Sequence, residues 1–175
     1  MTFSLRKLEN IAMLKKYIVP FIVLALLSTL GYALTQKNSV PDVTITTIKN
    51  EKISLSAQKG KMLLVSFWAT DCSGCIKEMP DLIKTYNTYQ KRGLSLVAVS
   101  MAYDPPQQLL NYVKANALPF PVMHDSDDAM SEAFGKVNLT PTTFVVDKNG
   151  HIVQKIIGEV NFKELTKLLD KELSA

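Results

Sequence analysis

The chain has 175 residues, 47% of them hydrophobic, a net charge of +4 and two cysteines. That length supports one hydrophobic core of ordinary domain size with a short appendage, and excludes a pair of large domains. Arg6, Lys7, Lys15 and Lys16 against Glu9 place +3 of the charge ahead of residue 34, so the remainder is nearly neutral and lacks the basic surface that nucleic-acid binding requires.

In chain order, residues 1–16 form a basic segment and residues 17–34 an apolar run. Pro20, Ser28, Thr29 and Gly31 interrupt that run, no charge does, and it has about the minimum length for crossing a bilayer. The cations before it hold the N-terminus in the cytoplasm and direct the rest of the chain outward. A transmembrane signal anchor is the expectation. Gly31 and Ala33 have the mutual spacing of a cleavage site, but the apolar run continues to Leu34. Met13-Leu14-Lys15-Lys16 has the form of a chain start in its own right, which would make the preceding twelve residues an extension. A polar linker is expected over 35–42 and a folded domain over 43–175.

Within that domain, 43–48 and 53–55 flank Lys49-Asn50-Glu51-Lys52 as two short strands of a hairpin. The run 62–68 is apolar except for Ser66, the pattern of a central strand buried on both faces. From Gly74 to about residue 90, Ile76, Met79, Leu82, Ile83, Tyr86 and Tyr89 recur with a helical period that ends at Lys91-Arg92-Gly93. Pro80 inside that helix removes a ladder hydrogen bond and predicts a kink. A second buried strand follows at 94–100 and a helix at 105–117 with proline in its first turn, completing a β-α-β unit. Residues 119–123 read as short and extended, and Ser126 or Asp127 as the cap of a short helix through Phe134. The stretches 142–147 and 152–157 flank Lys148-Asn149-Gly150-His151, where Asn-Gly signals a hairpin. Asn161 is positioned to cap a last amphipathic helix carrying Phe162, Leu165, Leu168 and Leu169.

Cys72 and Cys75 lie between the first buried strand and the helix after it. A disulfide between positions i and i+3 closes so short a loop that it removes little unfolded-chain entropy, so a structural staple is a poor reading and redox work a better one. At a helix start, unpaired N–H groups and the positive dipole end stabilise a thiolate on Cys72, while Cys75, one turn in, is placed to resolve a mixed disulfide. A structural zinc site wants four ligands and no second cysteine pair exists; haem attachment wants histidine where Ile76 stands. His124 and His151 fall in predicted loops and read as surface residues. No metal and no cofactor beyond the redox-active pair is expected. Glu78 shares the helical face of Cys75; buried there, its carboxyl would have a raised pKa and could exchange protons with the thiols, and the alternative is an exposed acid complementing the helix dipole. Trp68 at the strand end is expected beside the site as a substrate contact, with a core tryptophan as the alternative.

Phe67-Trp68-Ala69-x-x-Cys72-x-x-Cys75, Pro80 five residues after the second cysteine, and Thr140-Pro141-Thr142 ahead of a strand and an Asn-Gly hairpin together resemble thioredoxin over residues 43–174. The additional N-terminal hairpin, the apolar segment and Glu78 narrow the resemblance to membrane-anchored TlpA, ResA and CcmG-like thiol-disulfide oxidoreductases of cytochrome c biogenesis. The resemblance implies an α/β fold, a thioredoxin-like three-layer sandwich with an extra N-terminal β-hairpin, preceded by a transmembrane helix. It implies that Thr140-Pro141 is a cis-proline loop facing the cysteines, with the Thr140 backbone free to pair with an extended substrate. It further implies reduction of disulfides in secreted proteins, apocytochrome c among them, at the periplasmic or outer face of a bacterial cytoplasmic membrane, with a membrane thiol-reducing electron donor. Three positions depart from thioredoxin: Ser66 replaces a buried aspartate, Asp71 replaces a tryptophan, and Ser73-Gly74 replaces Gly-Pro. Asp71 opposes thiolate formation at Cys72, and the lack of histidine between the cysteines favours a reductant. The rival readings are a disulfide oxidant, a thiol peroxidase and a copper or haem chaperone. The peroxidatic Pro-x-x-x-Thr-x-x-Cys pattern is missing, with Val65 and Ala69 in its proline and threonine places.

Overall fold

The computed structural model describes residues 18, 20–29 and 39–174. Residues up to Lys37 and those from Asn38 onward form two separate compact units. In the first, residues 20–29 are helical (α1), and Phe21, Leu24, Leu26 and Leu27 are exposed. The hydroxyls of Ser28 and Thr29 donate to the carbonyls of Ala25 and Leu26 at 2.8 and 2.9 Å, so the two polar side chains in this apolar stretch are satisfied by their own helix. Among the described residues no helix is long and apolar enough to cross a membrane. The segment 1–16, the cleavage alternative at Gly31 and Ala33 and the remainder of the 17–34 span lie outside them.

The second unit carries the elements β1 (Thr44–Thr46), β2 (Lys52–Ser54), β3 (Met62–Trp68), α2 (Ser73–Tyr89), β4 (Leu94–Ser100), α3 (Pro106–Ala115), β5 (Val122–His124), α4 (Ala129–Ala133), β6 (Thr142–Val146), β7 (Ile152–Ile157) and α5 (Phe162–Leu173). β1 and β2 pair antiparallel as the expected hairpin. The other five strands form one sheet in the order β5-β4-β3-β6-β7. β3 and β4 are parallel, as are β4 and β5, whereas β6 runs antiparallel to β3 and β7 antiparallel to β6.

The apolar run at 62–68 makes β3 the central strand, and all seven of its residues are buried. Alternate side chains feed different layers. Leu64 and Trp68 pack with Leu82 of α2, Leu109 of α3 and Leu169 of α5, whereas Leu63, Val65 and Phe67 pack with Met130 on α4, Ile45 on β1 and Phe134 after α4. The result is the helix, sheet and helix-plus-hairpin sandwich that the sequence implied. Ser66, the one polar residue of β3, is buried opposite Thr143 and accepts a hydrogen bond from its hydroxyl at 3.3 Å. Asn161 caps α5 as expected, accepting from the N–H groups of Lys163 and Glu164 at 3.2 and 3.3 Å.

Three expectations change. Ser39 bridges His151 and the Val40 N–H donates to the Gly150 carbonyl at 2.8 Å, while the Val40 side chain is buried; the end of the 35–42 linker therefore belongs to the domain. The main side-chain cap of α4 is Asp125: its buried carboxylate accepts from the N–H groups of Met130 and Ser131 and from the Ser131 hydroxyl at 2.7–2.8 Å, while the expected Asp127 adds only a 3.4 Å bond from the Ala129 N–H and Asp128, at the N-cap position, makes no side-chain cap bond. Capping there is by a residue upstream of the exposed loop because the acid lies at the buried end of β5. His124 is half-buried on β5, and His151 is half-buried with its ring nitrogen 3.4 Å from the Asp147 carboxylate, so neither is a free surface side chain. Strand pairing drew both inward.

Candidate redox site

β3 ends at Trp68, and the chain then turns so that the Cys72 N–H donates to the Ala69 carbonyl at 3.3 Å. Cys72 is the N-cap of α2, with extended backbone angles of −83° and 104°. Its carbonyl accepts the first helical hydrogen bond from Ile76 at 3.0 Å, and its sulfur accepts from the Cys75 N–H at 3.2 Å. A sulfur that takes one of the orphan N–H groups of a helix start sits where negative charge is stabilised. Cys72 and Cys75 are joined as a disulfide with Cα atoms 5.2 Å apart. Cys72 is half-exposed and Cys75 is buried, 1% accessible.

Cys72 opens onto a groove whose far wall is Thr140 and Pro141, joined by a cis peptide bond, with Tyr103 and Glu159 on its flanks. The hydroxyls of Tyr103 and Thr140 are hydrogen-bonded at 3.2 Å. This wall lies against the first turn of α2: a Cβ at Gly74 would meet Pro141 Cδ and Glu159 Cγ at 3.6 Å, an ordinary van der Waals contact, so the close approach does not itself require glycine. Asp71 lines the same groove and is exposed.

Glu78, one turn beyond Cys75, is only 5% exposed. Its Oε2 accepts a 2.9 Å hydrogen bond from the Val160 N–H. Burial pushes its pKa above the ordinary carboxylate value, the Val160 hydrogen bond opposes the rise, and the charge of Glu159 adds to it. The dipole-complementing surface acid is thereby excluded. Glu159 itself forms an exposed ion pair with Lys77 at 2.7 Å, which raises the lysine pKa through the hydrogen bond and the charge. The segment 158–160 touches three parts of the site: the Gly158 N–H donates to the Pro141 carbonyl at 2.8 Å, Glu159 flanks the groove, and Val160 holds Glu78.

Trp68 corrects the expectation of a substrate contact. The indole is 1% exposed and lies in the core beneath the helix, its ring 5.3 Å from that of Tyr112. It supports the turn from below and presents no face to the groove. His124 and His151 do not line the groove that contains Cys72, and among the described residues no cluster of three or more metal-binding side chains occurs.

A family model described as Redoxin matches residues 35–169. The chain belongs to the Redoxin family. It is 32% identical over 160 residues to thiol-disulfide oxidoreductase ResA of Geobacillus kaustophilus (strain HTA426), covering 85% of this chain and 91% of that protein. Against ResA of Bacillus anthracis the identity is 34% over 131 residues, or 75% of each chain. Among solved structures, a thiol:disulfide interchange protein of the thioredoxin family from Chlorobium tepidum TLS is 26% identical with a TM-score of 0.72, covering 79% of this chain and 98% of the other. StoA from Bacillus subtilis is 27% identical with a TM-score of 0.62, covering 73% and 97%. The protein is thus a thioredoxin-like enzyme of the ResA type, a thiol-disulfide oxidoreductase.

Sequence reasoning missed several residues that the fold gathers around the cysteines. Thr70, Tyr103, Asp104 and Glu159 carry no motif. One signal could have found the middle pair: they follow the C-terminal end of β4, and the open ends of adjacent parallel strands are where α/β sheets build their sites.

Proposed function

We propose that the protein is a membrane-anchored thiol-disulfide reductase acting outside the cytoplasm on secreted proteins, with apocytochrome c as one substrate. The observation that carries the reading is the asymmetry of the disulfide: Cys72 opens to the groove at a helix start, and Cys75 is buried one helical turn before a buried acid. In the reduced enzyme, the Cys72 thiolate attacks one sulfur of the substrate disulfide. The substrate S–S bond breaks, a mixed disulfide forms, and the departing substrate thiolate takes a proton. Cys75 then loses its proton, for which Glu78 is the nearest acceptor along α2, and attacks the Cys72 sulfur. The second substrate thiol leaves, and two electrons have moved from the enzyme dithiol to the substrate. The Thr140 backbone beside Pro141 supplies strand-like pairing for the substrate segment, and no cofactor beyond the cysteine pair is used. A membrane-borne thiol donor restores the dithiol.

The 17–34 apolar run with cations before it supports a single-pass anchor in a bacterial cytoplasmic membrane, with the domain facing the periplasm or the outside. The test is the equilibrium potential of Cys72-Cys75 against glutathione. A value near about −270 mV supports the reductase, and one near about −120 mV would make the protein a disulfide oxidant instead. Insulin-reducing activity that disappears in Cys72→Ser is the accompanying expectation. Stoichiometric copper binding without such activity would favour the metal chaperone.

A further inference from the structure

The turn that presents Cys72 is not held by its own backbone alone. Asp104, in the loop between β4 and α3, is 0% exposed, yet its carboxylate is turned into the protein and fully engaged. Oδ2 accepts from the Thr70 N–H at 3.1 Å and from the Ser100 hydroxyl at 2.7 Å, and Oδ1 accepts from the Thr70 hydroxyl. Thr70 lies two residues before Cys72 in the chain. The same loop is fixed to the end of β3 by the Met101 N–H, which donates to the Trp68 carbonyl at 3.0 Å. Next to Asp104, Tyr103 reaches the other way: it is 58% exposed, lines the groove, and its hydroxyl meets that of Thr140 at 3.2 Å. Two adjacent side chains therefore hold, one the turn that leads to Cys72, the other the Thr140 wall of the groove.

A buried carboxylate is expensive to desolvate, and three donors converging on it are what offset that cost. An apolar side chain of the same size would fill the space without charge, so packing alone does not call for an acid here. What the acid supplies is direction. Its two oxygens fix both the backbone and the side chain of Thr70, and hence the orientation of the turn that carries Cys72.

We propose that Asp104 is a positioning residue for Cys72 and that Tyr103 is a substrate contact on the facing wall, so that the loop between β4 and α3 sets the register of the two sides of the groove. The proposal rests on the redox reading for its substrate half. Its Asp104 half concerns where the Cys72 sulfur is held, whatever that sulfur attacks. A misplacement of a reacting atom by about an ångström can cost on the order of a hundredfold in rate, so a turn freed from one of its two anchors has room to lose much of its reactivity.

The full chain is compared with Asp104→Ala, Asp104→Asn, Thr70→Val, Tyr103→Phe and Tyr103→Ala. The readouts are the alkylation rate of Cys72 by iodoacetamide in the reduced protein, the equilibrium potential, and the kinetics of reducing a peptide disulfide and a small aromatic disulfide. Asp104→Ala is expected to slow alkylation about tenfold and to move the potential. Asp104→Asn, which can still accept from the Thr70 N–H and Ser100 and can donate to the Thr70 oxygen, is expected to return alkylation to within about threefold of the parent. Thr70→Val removes one hydroxyl donor and should fall between them. It supplies the answer if Asp104→Ala does not fold. Tyr103→Ala is expected to raise KM for the peptide about tenfold with kcat little changed, and to raise it less for the small disulfide, with Tyr103→Phe between it and the parent. A lower melting temperature in Asp104→Ala and Thr70→Val with alkylation and potential unmoved would overturn the positioning role. An unchanged peptide KM in Tyr103→Ala would overturn the contact. If the parent reduces no disulfide at all, the redox reading fails while the alkylation result still decides Asp104.

Discussion

Trp68→Phe separates a core role from a substrate-binding role for the only tryptophan in the chain. The indole is 1% exposed and packs against Tyr112 at 5.3 Å between ring centres. Truncating a buried tryptophan to alanine costs about 3–5 kcal/mol, and phenylalanine keeps roughly half of the lost contact, so Trp68→Phe should cost about 2 kcal/mol. For a domain of this size that lowers the melting temperature by roughly 6–10 °C. Equilibrium urea unfolding followed by circular dichroism reads the stability, and steady-state reduction of a peptide disulfide reads KM. Because the ring does not reach the groove, KM should stay within about twofold of the parent. A tryptophan that touched substrate as a binding anchor would contribute about 2 kcal/mol or more, hence a roughly thirtyfold rise in KM. A tenfold rise in KM with stability unchanged would refute the burial argument.

The remaining predictions concern two buried acids. The Glu78 pKa is raised in the folded protein, so between its ordinary value of 4.5 and the raised value the native state holds a proton that the unfolded chain has lost. Stability therefore falls as pH rises through that window, and Glu78→Gln, which cannot ionise and can still accept from the Val160 N–H, should gain on the parent as pH climbs above 4.5. Urea midpoints for both proteins from about pH 4 to about pH 8 check this, and parallel curves would remove the claim of a raised pKa. The same variant should change the pH profile of Cys75-dependent mixed-disulfide resolution; an unchanged profile would end the proton-transfer role of Glu78. Asp125→Ala strands the N–H groups of Met130 and Ser131 and the Ser131 hydroxyl, at about 1–3 kcal/mol for each buried donor left without an acceptor. A loss of at least about 3 kcal/mol in urea unfolding is expected, with thiol reactivity preserved.

Local patterns in the chain determined the elements. The short apolar runs at 62–68 and 94–100 read as strands covered on both faces, and they correspond to β3 and β4 residue for residue. Asn161 and Asn149-Gly150 marked a helix start and a hairpin because their side-chain and backbone preferences act within a few residues. The cysteine spacing, with a helical period following it, likewise sufficed to place Cys72 at a helix start and Cys75 inside.

Whatever depended on partners distant in the chain was decided by tertiary structure alone. Glu78 could have been a surface acid or a buried one until the Val160 N–H, 82 residues on, closed over it. Trp68 could have faced a substrate until α3 brought Tyr112 against it. Asp104 and Thr70 are 34 residues apart and neither belongs to a recognisable pattern; only the parallel pairing of β3 and β4 puts their loops side by side at one end of the sheet. A sequence displays periodicity and capping because those are short-range physics. Burial of a charge and the hydrogen bonds that make it tolerable are properties of the assembled sheet, and in this protein they govern the surroundings of the sulfur that the sequence had already located.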